Sequence, residues 1–206
     1  MKCQGDLVDE AETLLGYLGE SGKILNRVKE TVEGLQDNFQ LLFIEDTSNR
    51  FLVLKSLVSF LQEKGYSGLI VTLNIPYVSL KERLAASGIS TESLAFVDGI
   101  TKHTHGNLEP AENVLYLESL KDLVEISVSI DRGAELLEGK KTFLIFDSLT
   151  TLLVYNEPLA VEKFAHNLIG KMRSKSIASV FFIAAHANQT IIDSVAEFCD
   201  SSSRID

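Results

Sequence analysis

Two hydrophobic patterns divide the chain near residue 38. In residues 1–38, apolar positions recur in alternating steps of four and three, the heptad spacing of a helix with one apolar seam. Further along, short runs that are apolar at every position alternate with stretches of helical periodicity. Such runs are typical of strands buried on both faces, as in a parallel sheet covered by helices. The pattern therefore predicts an N-terminal helical segment, 1–38, and an α/β domain, 39–206.

The seam of the N-terminal segment leaves two interpretations open. Its positions are Leu7, Ala11, Leu14, Leu18, Ser21, Leu25, Val28, Val32 and Leu35. Glycines in the middle each cost up to about 1 kcal/mol relative to alanine in a helix. We therefore expect one bent helix, or two helices that meet near Gly19 to Gly22. The seam serves either a dimerising coiled coil or a helix packed on its own domain.

The α/β domain is predicted to contain six strands with helical connections. The strands are predicted at 41–45, 68–74, 94–97, 143–147, 180–185 and 203–206. Helices are predicted at 51–61, from 79 towards Gly88, and at 120–137, 161–172 and 191–198. A capping box at Ser79 to Glu82 is expected to open the second of these helices, and 98–112 is expected to be a polar loop. This order predicts a doubly wound, mostly parallel sheet with helices on both faces.

Polar side chains stand where the predicted strands end. Glu45 closes the first strand, Asn74 the second, and Asp147 with Ser148 the strand of 143–147. His186 follows the strand of 180–185. Because ligands of open α/β sheets bind outside the carboxyl ends of the strands, these residues form the predicted site.

Three stretches together resemble the KaiC-like group of RecA-like P-loop ATPases. Residues 142–149 resemble that group's Walker B strand, an apolar run that ends in Asp-Ser. Residues 71–98 resemble the segment after its second strand, and 197–206 resemble its closing stretch. The resemblance covers roughly residues 40 to 206. It implies a RecA-like core with the strand order 203–206, 41–45, 180–185, 143–147, 69–74, 94–97.

The phosphate loop that the resemblance implies is not present. Such a loop needs glycines, whose backbone N–H groups surround the phosphates, and a lysine. The connection at 44–50, Ile-Glu-Asp-Thr-Ser-Asn-Arg, has no glycine, and the first lysine after it is Lys55. Glu45 and Asp46 instead place two carboxylates where a triphosphate would lie, and like charges repel it.

Other expected ATPase groups are also changed. Thr47, Ser48 and Asn49 are predicted to cap the next helix with side-chain oxygens. Asn74 stands where the resemblance implies a glutamate that activates water. Asp147 would help to hold Mg²⁺ in an active relative, but one aspartate without phosphates binds Mg²⁺ poorly. We interpret it as a retained structural acid that is hydrogen-bonded to the corner at 47–49.

Charge and composition exclude several other classes. A net charge of −10 disfavours binding to nucleic acid or to an anionic membrane surface. No apolar run approaches the roughly 20 residues that cross a bilayer, and no signal-peptide pattern is present. Cys3 and Cys199 are too far apart in the sequence to indicate a thiolate site, and His103 and His105 are expected to be solvated. We expect a cytoplasmic protein without a metal site.

These observations predict a non-catalytic KaiC-like domain without a cofactor. We expect it to act in regulation or signalling, as a homo-oligomer or with a signalling partner. One alternative is an atypical ATPase that uses ATP and Mg²⁺ with Asp147, Ser148, His186 and a neighbouring subunit's basic residue. Another is a binding site for a small cationic or polar ligand at the strand ends, favoured by Glu45 and Asp46.

Overall fold

Helices and strands alternate along the chain. The computed structural model describes residue 19 and residues 22–45, 48–105, 108 and 111–205. The strands are β1 (Gln40–Glu45), β2 (Ser67–Thr72), β3 (Leu94–Asp98), β4 (Val114–Tyr116), β5 (Thr142–Asp147), β6 (Ala178–Ala184) and β7 (Ser201–Ile205). The helices are α1 (22–33), α2 (Arg50–Glu63), α3 (Tyr77–Ala86), α4 (Thr101–His105), α5 (Leu123–Glu135), α6 (Leu149–Tyr155), α7 (Pro158–Ser174) and α8 (Gln189–Phe198).

The strands form one parallel sheet in the order β4-β3-β2-β5-β6-β1-β7. Every residue of β1, β2, β3, β5 and β6 is buried. A strand can be apolar throughout only where both of its faces are covered, which explains the continuous apolar runs. The predicted doubly wound α/β fold and the predicted order of six strands are confirmed, and β5 lies at the centre.

Helices cover both faces of the sheet. On one face, α1, α2 and α3 pack against side chains such as Phe43 and Phe143. On the other face, α5, α6, α7 and α8 pack against side chains such as Leu144 and Phe146. Gly65 follows the C-cap of α2 with φ +80°, a backbone conformation that favours glycine at the end of a helix.

The described part of the N-terminal segment packs on its own domain. Ile24, Val28 and Val32 of α1 are buried in the same core as α2. Leu25, which was placed on the predicted seam, is 49% exposed. The apolar stripe of α1 therefore covers the sheet. Most of the predicted seam lies outside the described residues, and the coiled coil stays a prediction.

Two connections contain more regular structure than predicted. The stretch at 98–112 was predicted to be a loop, but Thr101–His105 is helical and β4 follows to extend the sheet beside β3. Helix α6 directly follows β5 and was not predicted. Elements of three to seven residues are too short for hydrophobic periodicity to identify.

The predicted start of α3 is wrong. The helix begins at Tyr77, before the predicted capping box at Ser79 to Glu82, and its N-cap residue Pro76 has no side-chain cap bond. Instead, the N–H of Tyr77 donates to Oδ2 of Asp98 at 2.8 Å. A carboxylate from the neighbouring strand β3 therefore satisfies this helix terminus, which no local motif could indicate.

Candidate functional site

A buried ion-pair cluster joins the carboxyl ends of β1 and β5. Glu45 and Asp147 are the last residues of these strands, and both are buried. The side chain of Arg50, the first residue of α2, lies between them. Its Nε donates to Oε1 of Glu45 at 2.5 Å, and its Nη1 lies 3.2 Å from Oδ1 of Asp147. One guanidinium thus pairs with the acids of two different strands.

A second set of hydrogen bonds extends the cluster towards α6. Nδ2 of Asn74, just after β2, donates to Oδ1 of Asp147 at 2.9 Å. Thr151 in turn donates to Oδ1 of Asn74 at 2.5 Å, and the hydroxyls of Thr151 and Ser148 lie 3.2 Å apart. A cis peptide bond joins Asp147 to Ser148. Oδ1 of Asp147 is therefore held by side chains from α2 and from the β2–α3 connection.

Burial dominates the electrostatics of Asp147. Removal from water raises the pKa of its carboxyl, while the charge of Arg50 and the hydrogen bond from Asn74 act in the opposite direction. Glu45, Asp147 and Arg50 together carry a formal charge of −1 when both acids are ionised. The strand ends are therefore far less negative than the two carboxylates alone would make them.

Arg50 is the residue that sequence reasoning missed. It was noted only as the end of the glycine-free connection. A signal was nevertheless present, because a cation in the first turn of a helix opposes the helix dipole and needs nearby acids to offset it. The acid at the end of the preceding strand, Glu45, is such a partner.

Asp147 has different partners from those expected. It was predicted to bond the corner at 47–49, whereas the structure pairs it with Arg50 and Asn74. Asn49 occupies the N-cap position of α2 but makes no side-chain cap bond, so its predicted capping role is wrong. Ser48 is exposed.

The remaining predicted site residues either lie apart from the cluster or lie outside the described residues. Asp46 and Thr47 lie outside the described residues. His186 lies exposed in the turn after β6, and it makes no hydrogen bond or ion pair with another residue that the structure describes.

A cleft opens beside the cluster, between α2 and α3. Its volume is ≈ 180 Å³, less than the roughly 300 Å³ at which sites for drug-sized ligands begin. Polar groups of Ser48, Arg50, Asn74 and Asp147 form one side. The apolar side chains that line it are Phe51, Leu54, Ile75 and Leu80, and Arg83 also lines it.

Neither a metal cluster nor a reactive thiol is found in the rest of the described chain. No group of three His, Cys, Asp or Glu side chains within the described ranges could hold a metal. His103 is exposed, and the side chain of His105 and all of Cys3 lie outside the described residues. Burial raises the pKa of the Cys199 thiol to about 12, so its reactive thiolate form is scarce near neutral pH. No helix in this part of the chain is long and apolar enough to span a membrane.

Solved structures share this fold at low sequence identity. No family model matches the sequence, and no curated protein gives a significant match. An uncharacterised protein of Pyrococcus horikoshii, solved with an unknown peptide, is 16% identical with a TM-score of 0.59 and covers 81% of this chain and 77% of its own. A KaiC-like protein of P. horikoshii OT3 is 15% identical with a TM-score of 0.55, over 78% of this chain and 68% of its own.

A third structure from the same organism is 14% identical with a TM-score of 0.56, over 87% of this chain and 88% of its own. Similarities at this level of identity show the fold alone. The seven-stranded sheet with helices on both faces therefore has a RecA-like α/β architecture, consistent with the KaiC-like neighbour.

Proposed function

We propose that this chain is a KaiC-like domain that does not hydrolyse ATP and acts in regulation or signalling through contacts with other proteins. The observation that carries the proposal is the pairing of Arg50 with Glu45 and Asp147. In an active relative, the acid at the end of the central strand helps to hold Mg²⁺ beside the phosphates. In this chain Oδ1 of that acid is already paired with Arg50 and accepts a hydrogen bond from Asn74.

The surroundings of the cluster support the same proposal. The connection from β1 to α2 contains no glycine that would let backbone N–H groups wrap around phosphates. Asn74, which cannot act as a general base, bonds Asp147 and Thr151. The adjacent cleft of ≈ 180 Å³ is also small for a nucleotide.

Exposed apolar side chains support a role in protein contacts. Val154 is 75% exposed and Leu159 is 59% exposed. The half-exposed Tyr155 lies between them in the sequence, at the junction of α6 and α7. Clusters of exposed apolar side chains rimmed by polar residues often mark interaction surfaces. One structural neighbour was solved with a bound peptide, which is compatible with such a role.

Nucleotide binding is the direct test of lost catalysis. We expect labelled ATP with Mg²⁺ to show no binding at micromolar affinity in equilibrium dialysis, and phosphate release no faster than in buffer. Arg50→Met serves as a comparison, since it removes the guanidinium from the acids. Micromolar binding to the unchanged protein, with hydrolysis abolished by Asp147→Ala, would establish the atypical ATPase instead.

The contact surface is tested by self-association. If the α6–α7 junction mediates a homo-oligomer, the double change Val154→Asp and Leu159→Asp lowers the association constant in sedimentation equilibrium. Leu136→Asp is the matched control, because Leu136 is 47% exposed but follows α5. A chain that stays monomeric at all concentrations contradicts the homo-oligomer, and the same variants then test binding of a signalling partner.

The two alternatives differ in support. The atypical ATPase would use Ser148 and His186, but the Ser148 hydroxyl is buried beside Thr151 and His186 makes no polar contact with the cluster. The binding of a small ligand at the strand ends is favoured by the cleft between α2 and α3.

A further inference from the structure

We propose that the cleft between α2 and α3 binds a small carboxylate with an apolar body, and that Arg83 holds its carboxylate. This inference is independent of whether ATP hydrolysis has been lost. It concerns a pocket beside the ion-pair cluster, and it rests on one arginine, the distribution of exposed charge and the apolar wall of the cleft.

Arg83 lines the cleft and stacks on an aromatic ring. Its guanidinium lies over the ring of Phe51, 3.8 Å from the ring centroid, which joins α3 to α2. Its side chain makes no hydrogen bond or ion pair with any residue in the described ranges. A guanidinium has five N–H donors in a planar fork that matches a carboxylate. Stacking on Phe51 orients this fork in advance, so binding an anion costs less side-chain entropy.

The charged group that the cleft exposes most is the guanidinium of Arg83. The side chain of Glu45 is 0% exposed and that of Asp147 is 5% exposed, whereas Arg50, which pairs with both, is 16% exposed. Arg50 offsets one of the two buried negative charges, and Arg83 brings the formal charge of the four groups to zero while its own cation stays exposed. A cationic ligand was expected from the acids at the strand ends, but this arrangement favours an anionic group instead.

The other residues of the cleft determine the body of the ligand. Leu54, Ile75 and Leu80 line it together with the ring of Phe51. Burying apolar ligand atoms here gains roughly 25 cal/mol per Å², whereas an ion that is polar all round would lose its hydration against these side chains. The volume of ≈ 180 Å³ restricts the body to a few carbon atoms. A short branched carboxylate satisfies both requirements.

Binding of N-acetylleucine to the full chain tests the proposal. Titration followed by amide NMR shifts or by calorimetry is expected to show saturable binding, with a Kd no weaker than about 1 mM. N-acetylleucinamide has the same body without the charge, and inorganic phosphate has the charge without the body. Both are expected to bind at least tenfold more weakly. Equal binding of either compound, or no saturable binding of N-acetylleucine, overturns the proposal.

A charge-matched pair of variants locates the site. Arg83→Gln is expected to weaken N-acetylleucine binding at least tenfold. Lys81→Gln removes the same charge from another exposed position of the same helix. It is expected to leave binding within twofold, because Lys81 does not line the cleft. Equal effects of the two changes would mean that binding depends only on the net charge of the protein, and would contradict a site at Arg83. Circular dichroism confirms that both variants are folded.

A peptide ligand distinguishes two possible sources of the carboxylate, a free acid and the C-terminus of a protein. A tripeptide Gly-Gly-Leu carries the leucine body and a free carboxylate at the end of a chain. Binding as tight as that of N-acetylleucine indicates the C-terminus of a partner chain as the ligand, whereas weaker binding indicates a free acid. Both results retain the assigned chemistry, and failure of ATP to bind affects neither.

Discussion

Asp98 and Asp147 are buried acids at the ends of two parallel strands, yet their partners are of different kinds. Asp98 accepts hydrogen bonds from the backbone N–H groups of Tyr77, Ile100 and Thr101, and from the Thr101 hydroxyl. Asp147 instead forms an ion pair with Arg50 and accepts a hydrogen bond from the side chain of Asn74. The first acid is held mostly by the main chain, and the second by side chains from two other elements.

The two acids therefore differ in what they hold in place. The N–H groups around Asp98 belong to the turn that follows β3 and to the start of α3, so this acid fixes local backbone structure. The groups around Asp147 lie beside a cleft, and side-chain rotation can rearrange them without unfolding a turn. Position at a strand end therefore does not determine how a buried acid is held, whereas the elements that pack around it do.

The largest effect is expected for Arg50→Met. This change leaves Glu45 and Asp147 buried without their shared cation, and breaking a buried ion pair typically costs about 3–5 kcal/mol. Urea unfolding at pH 7 measures the loss. The loss shrinks as the pH falls towards 4, since protonated acids need no cation. Lys55→Met on the same helix is the control, and equal losses in the two variants would show that the cluster does not depend on Arg50.

A somewhat smaller effect is expected for Asp98→Ala. Four donors lose their acceptor in a buried site, so we expect a loss of about 3 kcal/mol in the free energy of unfolding. Asp98→Asn retains one acceptor oxygen and is expected to lose about half as much. The measurement is urea unfolding of both variants. Equal stability of Asp98→Ala and the unchanged protein would contradict a structural role.

The smallest effect is expected for Asp147→Asn, and it depends on pH. Burial raises the pKa of this carboxyl above its unfolded value, so the folded state holds the proton more tightly. Ionised Asp147 therefore lowers stability, and this penalty is absent below the unfolded pKa and grows as the pH rises towards the folded pKa. Asparagine removes the penalty but also the pairing with Arg50.

The free energy of unfolding of the variant should therefore rise relative to that of the unchanged protein as the pH rises above about 4, by about 1.4 kcal/mol for each unit by which the pKa is raised. Unfolding at a series of pH values measures the difference. Asp193→Asn on the exposed face of α8 is the control and should give a flat difference. A flat difference for Asp147→Asn would contradict a raised pKa.

The sequence predicted the strands well and the site only in part. The runs at 41–45 and 143–147 are apolar because both faces of each strand are covered, and this signal lies within the strand itself. It also predicted that Asn74 and Asp147 meet at the strand ends. The pairing of Arg50 with two acids was not predicted, because it depends on how α2 lies against β5, which is distant in sequence.

The sequence alone determined the α/β architecture, because the burial of each strand and the amphipathic face of each helix are encoded in local hydrophobic spacing. Only the tertiary structure decided which partner each charged side chain finds. Arg50 pairs with Asp147, Asp98 accepts from the start of α3, and Arg83 stacks on Phe51. Charged side chains interact over a few ångströms with whatever the fold brings near, and that proximity has no period along the chain.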